Sequence, residues 1–378
     1  MHRIYLDHAS TTPCDPLVLE AMRPFFFEQG GNPSSPHAEG REARKAVEDA
    51  RAVMASFIGA EEGEITFTSG ASESNNQAVF AAADALKDKG RHLVASAIEH
   101  HSVLEPLHRL EQEGFEVSLV KPRADGIVRS EDIQSALRPD TILVCLVHAN
   151  NEIGTLQPVE ETGRICRQRG TYFLVDATQT AGHLPVNIND IPCHYLSLSA
   201  HKFYGPKGVG ALYIRRQAKG RALILGGDQE HGRRAGTQNT PGIVGMAAAL
   251  KICRQQMSEE ASREAGLRDE IIDFVLKEIP SSVLNGSRGR RLPNNAHFSF
   301  AGIKGEDLVS ALDMARLSVS MGSACTWGRL EPSHVLTSLG LSPAMALGSL
   351  RVSVGRWTTR EDIQYFLAQL KSKITGLR

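Results

Sequence analysis

The chain has 378 residues, a formal net charge of -1, and 41% hydrophobic and 22% charged residues. That length is generous for one core, so two domains, or a large α/β domain with a smaller partner, are expected of a globular enzyme of ordinary composition. The balanced charge argues against direct nucleic-acid binding or a membrane-surface protein, and no apolar run approaches the roughly 20 residues of a bilayer span.

The N-terminus, Met1 to Asp7, has no apolar stretch of the signal-peptide kind. The six cysteines are Cys14, Cys145, Cys166, Cys193, Cys253 and Cys325, widely scattered and with no CxxC pair. This pattern predicts reduced thiols in a cytoplasmic protein, with no disulfide framework and no metal site.

In chain order, Ala43, Ala46, Val47, Ala50, Val53, Met54 and Phe57 recur at helical spacing and form one apolar face. Strands are expected at Glu64–Thr68, His92–Ala97, Thr141–His148, Tyr172–Asp176, Tyr195–Ser199 and Val209–Ile214. The central ones are nearly continuous in apolar residues, as in strands buried on both faces. Helices are expected between them, at Ser102–Glu113 and Pro158–Gln168. The fold class is therefore α/β, with a mainly parallel sheet and helices on both faces.

A long helical region follows over Pro241–Ile279, then a loop at Val283–Arg291. Alternation resumes at His297–Phe300, Leu317–Ser320 and Leu350–Val354, and an amphipathic helix over Arg360–Thr375 closes the chain. A boundary near residue 255 is expected. Residues 13–255 would form a large domain, and residues 1–12 and 256–378 a smaller α+β domain.

The stretch from Ser197 to Gly210 carries the strongest chemical signal. Lys202 leaves a strand end into a Gly/Pro-rich turn, flanked by Ser199 and His201. A lysine amine held this firmly can form a Schiff base with a carbonyl, and its neighbours can donate to an anion. Upstream, Asp176 ends a strand, where open α/β sheets bind ligands. An Asp there can hold a pyridinium nitrogen protonated, and Gln179 can donate to a phenolate oxygen, although Asp176 could equally be a helix cap. Thr68 to Asn76 reads as strand, Gly turn, Ser and helix, a phosphate seat made of backbone N–H groups. His100 follows another strand. It could stack on a ring and move protons, but beside His101 it reads equally as half of a surface pair. Asn151 ends the next strand in the same way.

Two further groups stand near the C-terminus. Small residues before Cys325 and nearby glycines argue against a core cysteine and predict a mobile, solvent-reaching thiol. Arg351 alternates with apolar residues on a strand. Its guanidinium suits a carboxylate, although a surface ion pair is the commoner fate.

These motifs resemble the cysteine desulfurases of the NifS/IscS type, within the class-V aminotransferase group of fold-type I pyridoxal-phosphate (PLP) enzymes. The resemblance runs from Tyr5-Leu6-Asp7-His8-Ala9-Ser10-Thr11-Thr12-Pro13 to Ser349-Leu350-Arg351-Val352-Ser353, and is most specific in the lysine stretch, Asn150 to Pro158 and Ser320 to Cys325. It implies that Lys202 is the Schiff-base lysine. Asp176 would face the pyridinium nitrogen, Gln179 the ring oxygen and His100 the ring face. Ala71, Ser72, Ser199 and His201 would hold the phosphate, with Asn151 near cofactor and substrate. Arg351 would take the substrate carboxylate, and Cys325 would carry sulfur as a persulfide. His100 would carry protons for the thiols.

The resemblance also implies a homodimer in which Thr237 serves the other subunit's phosphate. Asp228, His231 and Ala235 stand where the family usually has Gly, Arg and Ser, and Met321, Trp327, Gly328 and Arg329 are further departures. The implied reaction converts L-cysteine to L-alanine and passes the sulfur to an acceptor protein, a scaffold or thiolation enzyme. Selenocysteine lyase and class-V aminotransferase are the alternatives. Iron–sulfur cluster assembly, tRNA thiolation, nitrogenase maturation and DNA sulfur modification are all open as destinations.

Overall fold

The computed structural model describes residues 3–218, 221–322 and 331–378. The strands are β1 (Ile4–Tyr5), β2 (Ile65–Thr68), β3 (His92–Ser96), β4 (Glu116–Val120), β5 (Thr141–Val147), β6 (Tyr172–Asp176), β7 (Tyr195–Ser199), β8 (Gly210–Ile214), β9 (Ser282–Leu284), β10 (Asn295–Phe300), β11 (Leu317–Ser318) and β12 (Ser349–Ser353). The helices before the main sheet are α1 (Pro16–Met22), α2 (Pro24–Phe27) and α3 (Ala38–Ile58). Those within it are α4 (Ala71–Leu86), α5 (His101–Gln112), α6 (Ser130–Ala136) and α7 (Val159–Arg169). The long α8 (Thr240–Glu278) leads to α9 (Gly305–Met314), α10 (His334–Ser338), α11 (Pro343–Leu347) and α12 (Arg360–Leu377).

Seven strands form the main sheet in the order β2-β8-β7-β6-β5-β3-β4. Pairing is parallel from β7 through to β4, and only β8 runs antiparallel to its neighbours. Every residue of β5 is buried, as its unbroken apolar run requires of a strand covered on both faces. Strand β4 was not among the expected strands: it lies at the sheet's edge, and its partly exposed, mixed residues hide the signal. Residues 283–291 are expected as a loop, whereas β9 takes Val283 and Leu284 into an antiparallel pair with β10.

The apolar interior divides into clusters around the main sheet and a separate cluster around the smaller sheet β12-β10-β9. Helix α8 joins them. Its first half buries Ile243, Met246, Leu250 and Cys253 against the main-sheet cluster, and its second half buries Leu267, Ile271, Ile272 and Val275 in the other. With 39 residues it is about 58 Å long, enough to stiffen both.

One charged pair inside the main-sheet region fixes a loop that later matters. The Arg51 guanidinium meets the Glu230 carboxylate with two bonds, of 2.7 and 3.0 Å, and both side chains are buried. Phe67 N and Gln238 Nε2 also donate to Glu230. Glu230 and His231 have positive φ, 49° and 56°, so these bonds hold a backbone course that L-residues rarely take. Thus the segment leading to Thr237 is tied to β2. Glu230→Ala leaves the buried Arg51 guanidinium with only Glu48, a partly exposed partner at 3.0 Å, and should lower stability by about 3 kcal/mol, measured as a lower urea midpoint. The double variant Arg51→Met/Glu230→Leu should lose less.

Candidate functional site

Parallel strands lead their C-terminal ends to one sheet edge, and the chain exits there into helix starts and turns. Along this edge lies a cavity of about 530 Å³. Ala71, Ser72, His100, Asn151, Asp176, Gln179, Ser199, His201, Lys202 and Arg351 all line it. The structure thus brings together ten residues that the sequence scatters over 281 positions, from 71 to 351. Thr237 does not line the cavity of its own chain, and Cys325 lies outside the described residues. Gly322 and His334, on either side of the cysteine segment, do line it.

Lys202 ends a short 3-10 turn, Ala200–Lys202, directly after β7. Its Nζ donates to the carbonyls of Ala9, at 2.7 Å, and Ser10, at 2.6 Å. Asp176 is the last residue of β6 and is buried. Its Oδ1 accepts from Thr178 N at 2.9 Å, closing a turn where no helix begins, so the helix-cap alternative does not hold, and its Oδ2 accepts from Asn75 Nδ2 at 2.8 Å. Gln179 Nε2 donates to Ala9 O at 3.0 Å. Gly210 is required here, because a Cβ on it would lie 2.5 Å from Leu198 O and 2.7 Å from Gly70 Cα, in the turn ahead of α4. That turn gives α4 no side-chain cap, so its first backbone N–H groups are left for an anion.

Arg351 lies on β12, buried, with four of its donors engaged. Nη1 donates to Asn151 O and Gly322 O, and Nη2 to Asp7 Oδ1 and Ser10 Oγ. Its Nε is buried with no partner among the described residues.

Several ionisable groups in and around the cavity are neutralised by burial. Burial pushes His201 down to about 4, helped by Lys202 and Lys207, so its ring is neutral while Nδ1 pairs with Thr11 Oγ1. His148 behind the site is likewise lowered to about 4. Glu99 is raised to about 8 by burial, against the bonds it accepts from Ser96 Oγ and Val147 N. Burial also raises Glu152, whose Oε2 accepts from Ser333 Oγ at 2.6 Å.

Several of these groups escaped the sequence reading. Asn75 and Thr178 sit inside motifs already singled out, and helical spacing from Ala71 would have placed Asn75 on the inner face of α4. Glu99 borders the His100 motif. The strap Ala9–Thr11 lies within the stretch that carries the resemblance, but its hold on Lys202 and Gln179 is not visible there, because it acts through backbone carbonyls.

The model of the family described as aminotransferase class-V matches residues 4–366. The chain belongs to this family. A relative named cysteine desulfurase IscS, from Dictyoglomus turgidum, is 50% identical over 375 residues, covering 99% of this chain and 95% of its own. A solved structure named NifS-like protein is similar at 37% identity and a TM-score of 0.93, covering 99% of this chain and all of that one. Another, SspA in complex with cysteine, is 35% identical with a TM-score of 0.83, covering 94% of this chain and all of that one.

Class-V aminotransferases of this type depend on PLP, and the cavity fits that group. It offers a strand-end lysine, a buried carboxylate, an open helix N-terminus and a buried Thr178 hydroxyl that has no partner among the described residues.

The Glu99 carboxyl gives a pH test. An acid raised in the folded state stays protonated there while the unfolded chain ionises. Stability is therefore lost as pH rises from the group's ordinary value of 4.5 to about 8. Glu99→Gln should remove that loss, so its unfolding midpoint should gain on wild type across this window. Parallel pH curves would contradict the assignment.

Proposed function

We propose that this chain is a cysteine desulfurase: it takes sulfur from L-cysteine, holds it as a persulfide on Cys325 and releases L-alanine. The observation that carries this reading is one cavity uniting Lys202, Asp176 and Arg351, with a wall that includes Gly322 and His334, the flanks of the segment bearing Cys325.

In this reading Ala71, Ser72, Ser199 and His201 hold the cofactor's phosphate, and Thr237 completes that seat in the other subunit of a homodimer. Asp176 would face the ring nitrogen, Gln179 the ring oxygen, and His100 would stack on the ring. PLP, when bound, supplies an electron sink for charge released at the substrate Cα. Arg351 and Asn151 orient the amino acid, with the substrate carboxylate on the guanidinium. Lys202 would hold the cofactor's aldehyde carbon, and its free amine would take the Cα proton. The Cys325 thiolate attacks the substrate sulfur, the Cβ–S bond breaks, and the sulfur stays on Cys325 until an acceptor protein takes it. The elements of L-alanine remain and leave as product.

The relatives named for this activity, and the one solved with cysteine, support this reading over selenocysteine lyase or an aminotransferase. The acceptor would be a scaffold of iron–sulfur cluster assembly or a tRNA-thiolation enzyme. We place the reaction in the cytoplasm on the strength of the scattered, unpaired thiols. Among the described residues, no helix is long and apolar enough to cross a membrane.

Three measurements test the reading. Borohydride reduction followed by mass mapping should fix PLP on Lys202, and a protein that takes up no PLP contradicts it. Cys325→Ser should bind PLP and cysteine with a visible spectral change yet form no alanine. A near wild-type rate would return Cys325 to a structural role. Mixing Lys202→Ala with Thr237→Ala subunits should restore part of the activity, because one site of each hybrid is intact. Inactive hybrids would refute the cross-subunit seat.

A further inference from the structure

A chain of hydrogen bonds links the carboxylate of Asp176 to the imidazole of His100. Asn75 is fully buried on α4. Its Nδ2 carries two hydrogens and meets two acceptors, Asp176 Oδ2 at 2.8 Å and Ser102 Oγ at 2.9 Å. The carboxylate fixes the amide's orientation, since an amide oxygen turned toward it would repel it. Ser102 Oγ in turn lies 2.8 Å from His100 Nδ1. The backbone N–H of Ser102 donates to that same nitrogen at 3.1 Å, with His100 as N-cap of α5.

A backbone N–H can only donate, so Nδ1 carries no proton. The hydroxyl of Ser102 accepts from Asn75 and so can aim its own hydrogen at Nδ1. Both donors therefore require a bare Nδ1, and the ring proton belongs on Nε2. Adding a proton at Nδ1 would set two N–H groups against each other at the start of α5. The groups facing the ring come from several elements: Asp176 at the end of β6, Lys202 after β7, His101 on α5 and His334 on α10. Burial is the largest influence and lowers the imidazole's proton affinity. Asp176 opposes it, and Lys202, His101 and His334 add to it.

We infer that Asn75 and Ser102 are positioning residues that hold His100 as the neutral imidazole protonated at Nε2, so that His100 meets the substrate as a hydrogen-bond donor and accepts no proton from it. The inference rests on the desulfurase reading of this cavity, and it narrows the part that the resemblance gives His100. The thiol's proton must then leave by another route.

The test uses the PLP-loaded enzyme with 15N-labelled histidine rings, the His100 signals being assigned by their loss in His100→Gln. Wild type should show a bare Nδ1 and a protonated Nε2, unchanged from about pH 6 to about pH 8. Ser102→Ala removes one of the two donors, and its His100 ring should show mixed tautomers or a proton uptake absent from wild type. His100→Gln provides the activity readout, because a glutamine amide donates a hydrogen bond but takes up no proton. It should make alanine within about tenfold of wild type, with an unshifted pH profile, whereas His100→Ala should lose about a hundredfold or more. A protonated Nδ1 in wild type, or a glutamine variant no better than alanine, overturns the inference. Wild type that makes no alanine from cysteine overturns the desulfurase reading instead, and the ring signals still decide the tautomer.

Discussion

Lys202 reaches across the cavity and places its ammonium on the carbonyls of Ala9 and Ser10. Most of the site hangs from this short strap. Gln179 donates to Ala9 O, His201 pairs with Thr11, and Arg351 holds Asp7 and Ser10 Oγ. The strap is itself anchored in both parts of the molecule. Leu6 and Ala9 bond to Ser318 and Ser353 of the smaller sheets, while Thr12 and Asp15 bond to His201 O and Tyr204 O beside the lysine. A shift of the small sheet relative to the main one would therefore move the lysine's acceptors and the arginine's partners together. Charge-assisted bonds of this kind weaken steeply with distance, so the two halves of the site keep a common register.

Electrostatics in the cavity follow from which charges keep partners. Asp176 and Arg351 are buried but richly bonded. Burial leaves Glu99 protonated up to about pH 8 and keeps His201 and His148 neutral at ordinary pH. Glu73, a further acid in the cavity's lining, is held ionised by Arg234, so the carboxylates that an anionic cofactor would meet there are paired or hydrogen-bonded.

Much of this was legible in the sequence, for physical reasons that can be named. Strands buried on both faces read as apolar runs, so β5 and β6 were visible, whereas β4, at the sheet's edge with mixed residues, was not. The strand-end positions of Asp176 and Lys202 followed from the rule that α/β sheets bind at their carboxyl edge. Arg351 could not be brought to that edge by any local pattern. Its place depends on β12 pairing with β10 and on a bridge to Ser320, both long-range. Asn75 and Ser102 were hidden for another reason: their role lies in which atoms donate to which, and residue type does not reveal that. The strap's hold on Lys202 and Gln179 was hidden more deeply still, since the carbonyls that make it are common to every residue.

The central claim is that sulfur passes from cysteine to one particular thiol. The enzyme should be given sulfur-labelled L-cysteine without an acceptor, then digested and mapped under non-reducing conditions. The account requires the label on Cys325, removable by a reducing thiol, with Cys14, Cys145, Cys166, Cys193 and Cys253 unlabelled. Label on any of those five, or alanine formed with no protein-bound sulfur at all, would contradict it.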